Sequence, residues 1–306
     1  VDSSYMAYFA KSQGLRPLAV HYDNTWNTGI ASQNIKNVLE ALSIDLYTYV
    51  VDSEIADDIY LAFFRSGVAE IDCSTDLAYA YILRKVAAKY SVRYVLEGHS
   101  FTEEGITPLG RNYFDGMYIR DVHRQYGCGS IRGFPLMTFT KFLWSCLISR
   151  VKIIRPFWYI AYSKEEAKAF LSREYGWCDY GGHHLENRMT SFLHSIYLPT
   201  KFNTDMRNNT LSSRVRNGTL DRGDAIRIYS SKPIYEDGLM KYFVQRMGIS
   251  YEYYLSIMTG PVSEWRQFKT YKRRFERFRL LFKFLSKRDL VPYSFYLKYC
   301  CTNSLK

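Results

Sequence analysis

The chain has 306 residues, of which 47% are hydrophobic and 23% charged, so it can bury a sizeable core and is not an intrinsically disordered protein. Its formal net charge of +11 favours anionic partners: nucleotides, nucleotide sugars, nucleic acid or an anionic membrane surface. No apolar run approaches the roughly 20 residues of a spanning helix, so we do not expect a transmembrane protein.

The first 110 residues alternate helix and strand patterns. The predicted helices are 4–11, 30–42, 55–65 and 76–90, and the predicted strands are 17–22, 46–51 and 94–97. Strands that alternate with helices of this length are typical of βαβ units. The sequence therefore predicts an α/β fold, with a Rossmann-like parallel sheet covered by helices on both faces.

From residue 111 the alternation stops and helix patterns dominate. The predicted helices are 117–126, 137–151, 163–174, 185–197, 207–217, 220–228 and 232–247. We predict a nucleotide-binding α/β domain over residues 1–110, a mainly helical substrate and catalytic region over 111–260, and a basic aromatic tail over 261–306.

The 6 cysteines form no Cys-x-x-Cys pair, and their spacing suggests no zinc site. A reduced chain is the simplest interpretation, because structural disulfides are rare in the cytosol. We therefore predict a cytoplasmic protein.

The first residues run directly into an apolar helix pattern. A helix N-terminus offers free backbone N–H groups and partial positive charge, so it favours anions, and Asp2 and Ser3 suit the first turn. Polar clusters at 21–27 and 98–105 follow two predicted strands. In open α/β sheets, ligands bind at the carboxyl ends of strands.

Val1-Asp2-Ser3 resembles the end of the Ser-Gly-Gly-x-Asp-Ser loop of the PP-loop ATP pyrophosphatases, so we expect the sequence to begin inside that loop. Within that superfamily it is similar to the N-acetyl sugar amidotransferases of surface-polysaccharide synthesis, of the WbpG and PseA type. The similar stretches are 15–24 (LRPLAVHYDN) with Trp26-Asn27, 45–52 (DLYTYVVD), Thr75-Asp76, 102–108 (TEEGITP), Gly176-Trp177 with 179–182 (DYGG), His184 and Glu186, and 198–202 (LPTKF) with Asp205 and Arg207. The resemblance covers about residues 1–260.

The resemblance implies a PP-loop fold and an ATP-dependent ligase that converts a sugar N-acetyl group to an acetamidino group. The reaction would release AMP and pyrophosphate, use Mg²⁺, and serve O-antigen or nonulosonic acid synthesis on a nucleotide sugar. Ammonia would come from a glutaminase subunit through a cyclase-like channel subunit, as in the two-part imidazole glycerol phosphate synthase system.

Under this resemblance the nucleotide site would contain the start of the first helix, and Asp2 would also help to hold Mg²⁺, which binds carboxylate and phosphate oxygens. The residues predicted to bind the nucleotide are Asp2, Ser3, Asp23, Asn24, Trp26, Gly98, Glu104 and Gly105.

A second predicted cluster, Asp179, His184 and Glu186, flanks the Gly181-Gly182 pair. His184 would act as acid or base, since a histidine pKa lies near neutrality, and Asp179 or Glu186 would orient it. The predicted substrate-binding residues are Thr75, Asp76, Lys201 and Arg207. The alternatives are a surface helix cap for the first group and solvated charges for Lys201 and Arg207.

Two other functions fit parts of the sequence. A tRNA-modifying PP-loop ligase would use the basic aromatic tract 271–279 on RNA. A non-catalytic module would instead lay that tract on anionic lipid, and a plain solvated helix face also fits it. The resemblance favours the sugar ligase, with no nucleic-acid partner.

Overall fold

The computed structural model describes residues 1–105, 112–182 and 185–301. The helices are α1 (Asp2–Ser12), α2 (Gly29–Ala41), α3 (Ser53–Ser66), α4 (Cys73–Lys89), α5 (Phe101–Glu104), α6 (Gly116–Tyr126), α7 (Phe139–Trp144), α8 (Lys164–Tyr175), α9 (Arg188–Phe192), α10 (Leu198–Phe202), α11 (Arg207–Arg216), α12 (Arg222–Ser230), α13 (Leu239–Arg246), α14 (Tyr251–Thr259), α15 (Lys272–Arg277), α16 (Arg279–Lys287) and α17 (Tyr293–Phe295). Single π-helical turns cover Ser145–Ser149, Leu193–Tyr197 and Tyr296–Cys300, and 3₁₀ turns cover Pro156–Trp158 and Trp265–Gln267.

The strands are β1 (Leu18–Asp23), β2 (Asp45–Val50), β3 (Tyr94–Leu96) and β4 (Lys152–Ile154). Within the described residues β1 pairs with β2, and β3 pairs with β4. The Lys152 amide donates to the Arg93 carbonyl at 2.8 Å and the Glu97 amide donates to the Ile154 carbonyl at 2.9 Å, so β3 and β4 run parallel. The α/β class and the helical C-terminal region are confirmed, whereas the described residues do not join into the full predicted sheet.

Two predicted helices are shorter than expected. Within the stretch 137–151 that is predicted as a helix, the α-helix ends at Trp144 and a π turn follows it. Arg150 then has a positive φ of 49°, which breaks the helix before β4. The helix predicted over 232–247 begins only at Leu239, because Gly238 with φ 79° precedes it.

Local sequence explains where the helices next to the site begin and end. The Thr28 hydroxyl accepts from the Ala31 amide at the start of α2. The Ser163 hydroxyl accepts from the Glu166 amide at the start of α8, as the capping pattern predicts. Gly176 then ends α8 in the left-handed region at φ 61°, which suits glycine.

The described residues form two compact units. Those of the first unit fall within Val1–Tyr49, Leu96–Thr107 and Ile154–Phe243. Its core includes one cluster of Met6, Phe157, Tyr162 and Ala167, and another of Val38, Leu171 and Trp177. These clusters pack α1, α2 and α8 together, so they position the first residues of α1.

The second unit comprises described residues within Val50–Val95, Pro108–Ile153 and Val244–Lys306. Its largest C-terminal cluster joins α7, α15 and α16 through Phe139, Phe275, Phe282 and Leu285. The domain boundaries predicted near residues 110 and 260 stay a prediction. Among the helices of the described residues, none has both the length and the hydropathy required to cross a bilayer.

Candidate active site

A buried charge cluster lies at the start of α1. The Tyr162 hydroxyl donates to Asp2 Oδ1 at 2.6 Å, and Lys164 Nζ lies 2.9 Å from Asp2 Oδ2. The Asp2 and Lys164 side chains are only 18% and 12% exposed. Lys164 is the first residue of α8, so the Ser163 cap, which fixes the start of α8, also fixes the backbone position of Lys164.

The same ammonium reaches a second carboxylate. Lys164 Nζ lies 3.3 Å from Glu104 Oε1, and His99 Nε2 lies 3.5 Å from Glu104 Oε2. The Trp158 indole donates to His99 Nδ1 at 3.1 Å, which leaves His99 Nε2 facing Glu104. Two carboxylates therefore share one lysine at this site.

The electrostatics keep this cluster ionised. Burial alone would raise the pKa of Asp2, but the Lys164 charge and the hydrogen bonds from Tyr162 and Lys164 hold it below its ordinary value. Burial alone would lower the pKa of Lys164, but the carboxylates of Asp2 and Glu104 raise it. Asp2 and Lys164 each stabilise the charged form of the other, so this pair is charged at neutral pH.

The end of β3 approaches the first turn of α1 closely. A Cβ atom on Gly98 would lie 2.7 Å from the Asp2 carbonyl carbon and 3.0 Å from the Ser3 amide nitrogen. Only glycine allows this approach without a backbone shift. The structure thus brings Asp2, Ser3, Gly98 and Glu104 together, and the Ser3 side chain is exposed.

Helix α5 is fixed by α11. The Ser213 hydroxyl donates to the Phe101 carbonyl at 2.6 Å, and a Cβ on Gly105 would lie 2.5 Å from the Asn209 carbonyl oxygen. Gly105 also has a left-handed φ of 76°. The glycine predicted to bind the nucleotide therefore has a packing role that holds Glu104 in place.

The segment around the Gly181-Gly182 pair is tied to α2. Asn34 Nδ2 donates to the Cys178 carbonyl at 2.7 Å, and the Cys178 amide donates to Asn34 Oδ1 at 2.8 Å. The Val1 nitrogen lies 3.3 Å from the Tyr180 hydroxyl. This segment therefore borders the start of α1.

Tyr180 lies among acidic groups. Burial raises the pKa of its hydroxyl, and the charges of Glu186 and Asp2 raise it further. The hydroxyl therefore stays protonated and can donate a hydrogen bond.

Asp179 lies on the outer side of this segment. Lys168 Nζ is 3.0 Å from Asp179 Oδ2, the Gly181 amide donates to Asp179 Oδ1 at 3.0 Å, and the aspartate side chain is 48% exposed. Burial alone would raise the pKa of Asp179, but the hydrogen bonds from Lys168 and Gly181 lower it. The carboxylate stabilises the turn in this conformation.

Glu186 connects the segment to the end of β1. Its carbonyl accepts from the Thr28 amide at 2.9 Å. Asn187 Nδ2 then donates to Asn24 Oδ1 at 2.8 Å and to Asn27 Oδ1 at 3.0 Å. The end of β1 and residues 186–187 therefore form one hydrogen-bonded network in the first unit.

Asp23, Asn24 and Trp26, which are predicted to bind the nucleotide, have contacts within the fold. Asp23 Oδ1 accepts from the Thr25 amide at 2.8 Å, and Asn24 Oδ1 accepts from the Trp26 amide at 3.1 Å. Trp26 is 0% exposed, with the Tyr242 ring centroid 5.6 Å away. Trp26 therefore packs in the core of the first unit, and its predicted role in nucleotide binding stays a prediction.

Arg207 is likewise engaged by the fold. Its guanidinium lies 2.7 Å from Asp205 Oδ2 and donates to the carbonyls of Ile228, at 3.0 Å, and Ser231, at 2.8 Å. It thus secures the end of α12, and its predicted role in substrate binding stays a prediction. Lys201 lies on α10, where burial lowers its pKa.

Thr75 and Asp76 belong to the second unit. The Thr75 hydroxyl donates to Asp72 Oδ1 at 2.5 Å and lies 2.6 Å from the Tyr60 hydroxyl, while Asp76 is exposed. Their predicted role in substrate binding stays a prediction.

The predicted catalytic His184 lies outside the described residues. Within the described part of the chain, no three His, Cys, Asp or Glu side chains converge as a metal site. Mg²⁺ commonly binds to one or two carboxylates together with phosphate oxygens and water, so the Asp2 and Glu104 pair suits it without such a cage.

Sequence reasoning missed Tyr162, Lys164 and Tyr180 as site residues. Lys164 carried one usable signal, because Ser163 marks the start of α8 and so puts Lys164 at its first position. Nothing in the sequence showed that this helix start faces Asp2.

One comparison concerns the part of the chain that follows these residues. Residues 186–282 match the family model of the C-terminal domain of WbpG-like LPS biosynthesis proteins. The match supports the predicted WbpG-like family over this region, while membership of the PP-loop superfamily stays a prediction. No curated protein matches the chain.

Proposed function

We propose that the chain is an ATP-dependent amidotransferase of LPS O-antigen or related surface-polysaccharide synthesis. It would convert the N-acetyl group of a nucleotide sugar to an acetamidino group through an adenylylated imidate, with release of AMP and pyrophosphate. The match to the C-terminal domain of WbpG-like LPS biosynthesis proteins supports the pathway. The observation that carries the chemistry is the close approach of Gly98 to the Asp2 main chain, because it puts the end of β3 against the start of α1.

That juxtaposition is the arrangement an α/β protein uses for phosphate groups. The first-turn amides of α1 would donate hydrogen bonds to phosphate oxygens, and the exposed Ser3 hydroxyl would add another donor. ATP, when bound, would supply the adenylyl group that turns an amide oxygen into a leaving group. Lys164 would exchange its carboxylate partners for phosphate oxygens and neutralise the charge that develops there.

Asp2 and Glu104 would hold Mg²⁺ once Lys164 turns toward phosphate. Two carboxylates that share one ammonium carry excess negative charge, which favours a divalent cation. Glu186 would accept a proton from incoming ammonium, and the protonated Tyr180 hydroxyl would orient the acyl group. His184 keeps its predicted role as acid or base.

The partners are part of the same proposal. Ammonia would reach the site from a glutaminase subunit through a cyclase-like channel subunit, in the cytoplasm. An ammonium salt can replace both subunits in a test, because free ammonia is the nucleophile in either case.

Pyrophosphate release tests the proposal. The full-length protein would be incubated with ATP, Mg²⁺, an ammonium salt and a panel of UDP-linked N-acetylhexosamines, and we expect release that depends on one of the sugars. Lys164→Met should reduce that release by at least about 100-fold, since it removes the cation nearest the phosphate site.

Lys168→Met is the matched control, because Lys168 lies one turn further along α8 and pairs with Asp179 instead. It should keep most of the activity. Release that is independent of every sugar in the panel, or a fully active Lys164→Met variant, would contradict the proposal.

A further inference from the structure

Helix α16 has two apolar faces, and among the described residues only one of them packs into a core cluster. Phe282 and Leu285 are 0% and 1% exposed and pack into the cluster of the second unit, where the Phe275 and Phe282 ring centroids are 5.3 Å apart. These contacts hold α16 in place. Apolar side chains on the opposite face do not contribute to this cluster, so packing within it does not explain them.

The uncovered face carries large apolar side chains. Leu280 is 76% exposed and Phe284 is 53% exposed. They are four residues apart, so they lie one above the other on the helix. The exposed Lys283 and Lys287 are also four residues apart and lie beside this apolar pair. Single exposed apolar residues are ordinary on protein surfaces, but an aligned apolar pair flanked by cations indicates a binding surface.

Cations dominate the charge around this pair. All charged side chains within 277–288 are cations, namely Arg277, Arg279, Lys283, Lys287 and Arg288, and the carboxylates next to this segment are Glu276, which pairs with Lys272, and Asp289. The Arg288 guanidinium lies 5.2 Å from the centre of the Phe284 ring. Cations that surround exposed apolar side chains match a surface with anionic groups above a hydrocarbon layer.

We propose that the basic apolar face of α16, formed by Leu280, Lys283, Phe284, Lys287 and Arg288, binds the surface of an anionic lipid bilayer. Leu280 and Phe284 enter the interface, and the cations pair with lipid phosphates. This binding is peripheral and goes beyond the proposed amidotransferase activity, which depends on the first unit.

RNA fits this face less well. Single-stranded nucleic acid binds through aromatic rings on which bases stack, together with cations. Leu280, which is 76% exposed, offers no ring, and Arg288 lies against the ring of Phe284. An aliphatic anchor beside an aromatic one suits acyl chains instead.

Vesicle co-sedimentation tests the proposal. The wild-type protein should bind vesicles of phosphatidylcholine that contain phosphatidylglycerol, and it should bind pure phosphatidylcholine far more weakly. Binding should weaken as the salt concentration rises from about 0.05 M to about 0.5 M, because salt screens the lipid charge.

The apolar anchors and the cations can be tested separately. Leu280→Ser with Phe284→Ser should weaken binding at least about ten-fold, since both substitutions remove apolar surface that would otherwise be buried in the bilayer. Lys283→Glu with Lys287→Glu should weaken it by about 100-fold. Because all four side chains are exposed, circular dichroism should show that both double variants fold normally.

Matched controls lie in the first unit. Ile234 is 70% exposed, so Ile234→Ser removes a comparable apolar side chain. Lys232→Glu with Lys241→Glu changes the net charge of the chain as much as the α16 pair does. Neither control should change vesicle binding.

Several results would overturn the proposal. They are equal binding to neutral and anionic vesicles, an unchanged affinity in both α16 variants, and binding to single-stranded RNA but not to vesicles. Pyrophosphate release measured without lipid should be the same in the α16 variants and the wild type, so failure of this proposal and failure of the proposed function are distinguishable.

Discussion

Asp2 in the first unit and Asp115 in the second are both shielded from water, yet different kinds of partner hold them. Asp2 accepts from side chains, the Tyr162 hydroxyl at 2.6 Å and the Lys164 ammonium at 2.9 Å. Side chains of this kind can turn to another partner without a change in the backbone.

Asp115 is held mainly by the backbone. It accepts from the amides of Met117 at 2.8 Å, Tyr118 at 2.9 Å and Tyr271 at 2.6 Å, and from the Tyr113 hydroxyl at 2.8 Å. Burial raises the pKa of Asp115 although these hydrogen bonds lower it, because no cation compensates among its main contacts.

The difference separates stability from function. A carboxylate bound to backbone amides caps a helix and joins two segments, so its removal lowers the free energy of unfolding. A carboxylate bound to a lysine can release that lysine to an arriving anion. We therefore assign Asp115 to the fold and Asp2 to the proposed chemistry, and the predictions below test this assignment.

The largest expected effect is on the fold. Asp115→Ala leaves three backbone amides and a hydroxyl without their acceptor, so it should lower the free energy of unfolding by about 4 kcal/mol. Urea denaturation measures this. Glu40→Ala is the control, since its ion pair with Lys36 is exposed and should be worth less than about 0.5 kcal/mol. An Asp115→Ala variant as stable as Glu40→Ala would remove the contrast.

Asp2→Asn should have the opposite profile. The amide still accepts from Tyr162 but loses the charge that attracts Lys164 and Mg²⁺, so sugar-dependent pyrophosphate release should fall at least about 100-fold. The free energy of unfolding should change by no more than about 1.5 kcal/mol. A variant that loses stability in proportion to activity would place Asp2 with Asp115.

The third prediction concerns pH. Burial raises the pKa of Glu70 from 4.5 to about 7, and the Tyr118 hydroxyl lies 3.4 Å from its carboxylate. Its contribution to stability is fully present below pH 4.5 and is lost as the pH rises through about 7, because the folded state binds the proton more tightly.

Glu70→Gln keeps the hydrogen bond without the charge. It should therefore be more stable than the wild type by about 2 kcal/mol at pH 8, while the two should be similar at pH 4.5. Urea denaturation at both pH values measures the difference. An identical pH profile for the two proteins would show that Glu70 titrates normally.

The sequence predicted local structure better than contacts. The Ser163 cap, strands near their observed positions and the polar end of β1 follow from short patterns. The partners of Asp2 do not, because Tyr162 and Lys164 are 160 or more residues away in sequence. The burial of Trp26 could not be predicted either, since a tryptophan that follows a strand can stack on a nucleotide base or pack in the core.

The smallest expected effect concerns Asp179, which the sequence resemblance placed among catalytic residues. Its carboxylate is 48% exposed and pairs with Lys168 on the surface, so it lacks the burial that makes the loss of Asp115 costly. Asp179→Asn should change the free energy of unfolding by less than about 0.5 kcal/mol and keep pyrophosphate release within about ten-fold of the wild type. A loss as large as that of Asp2→Asn, with unchanged stability, would return Asp179 to the catalytic group.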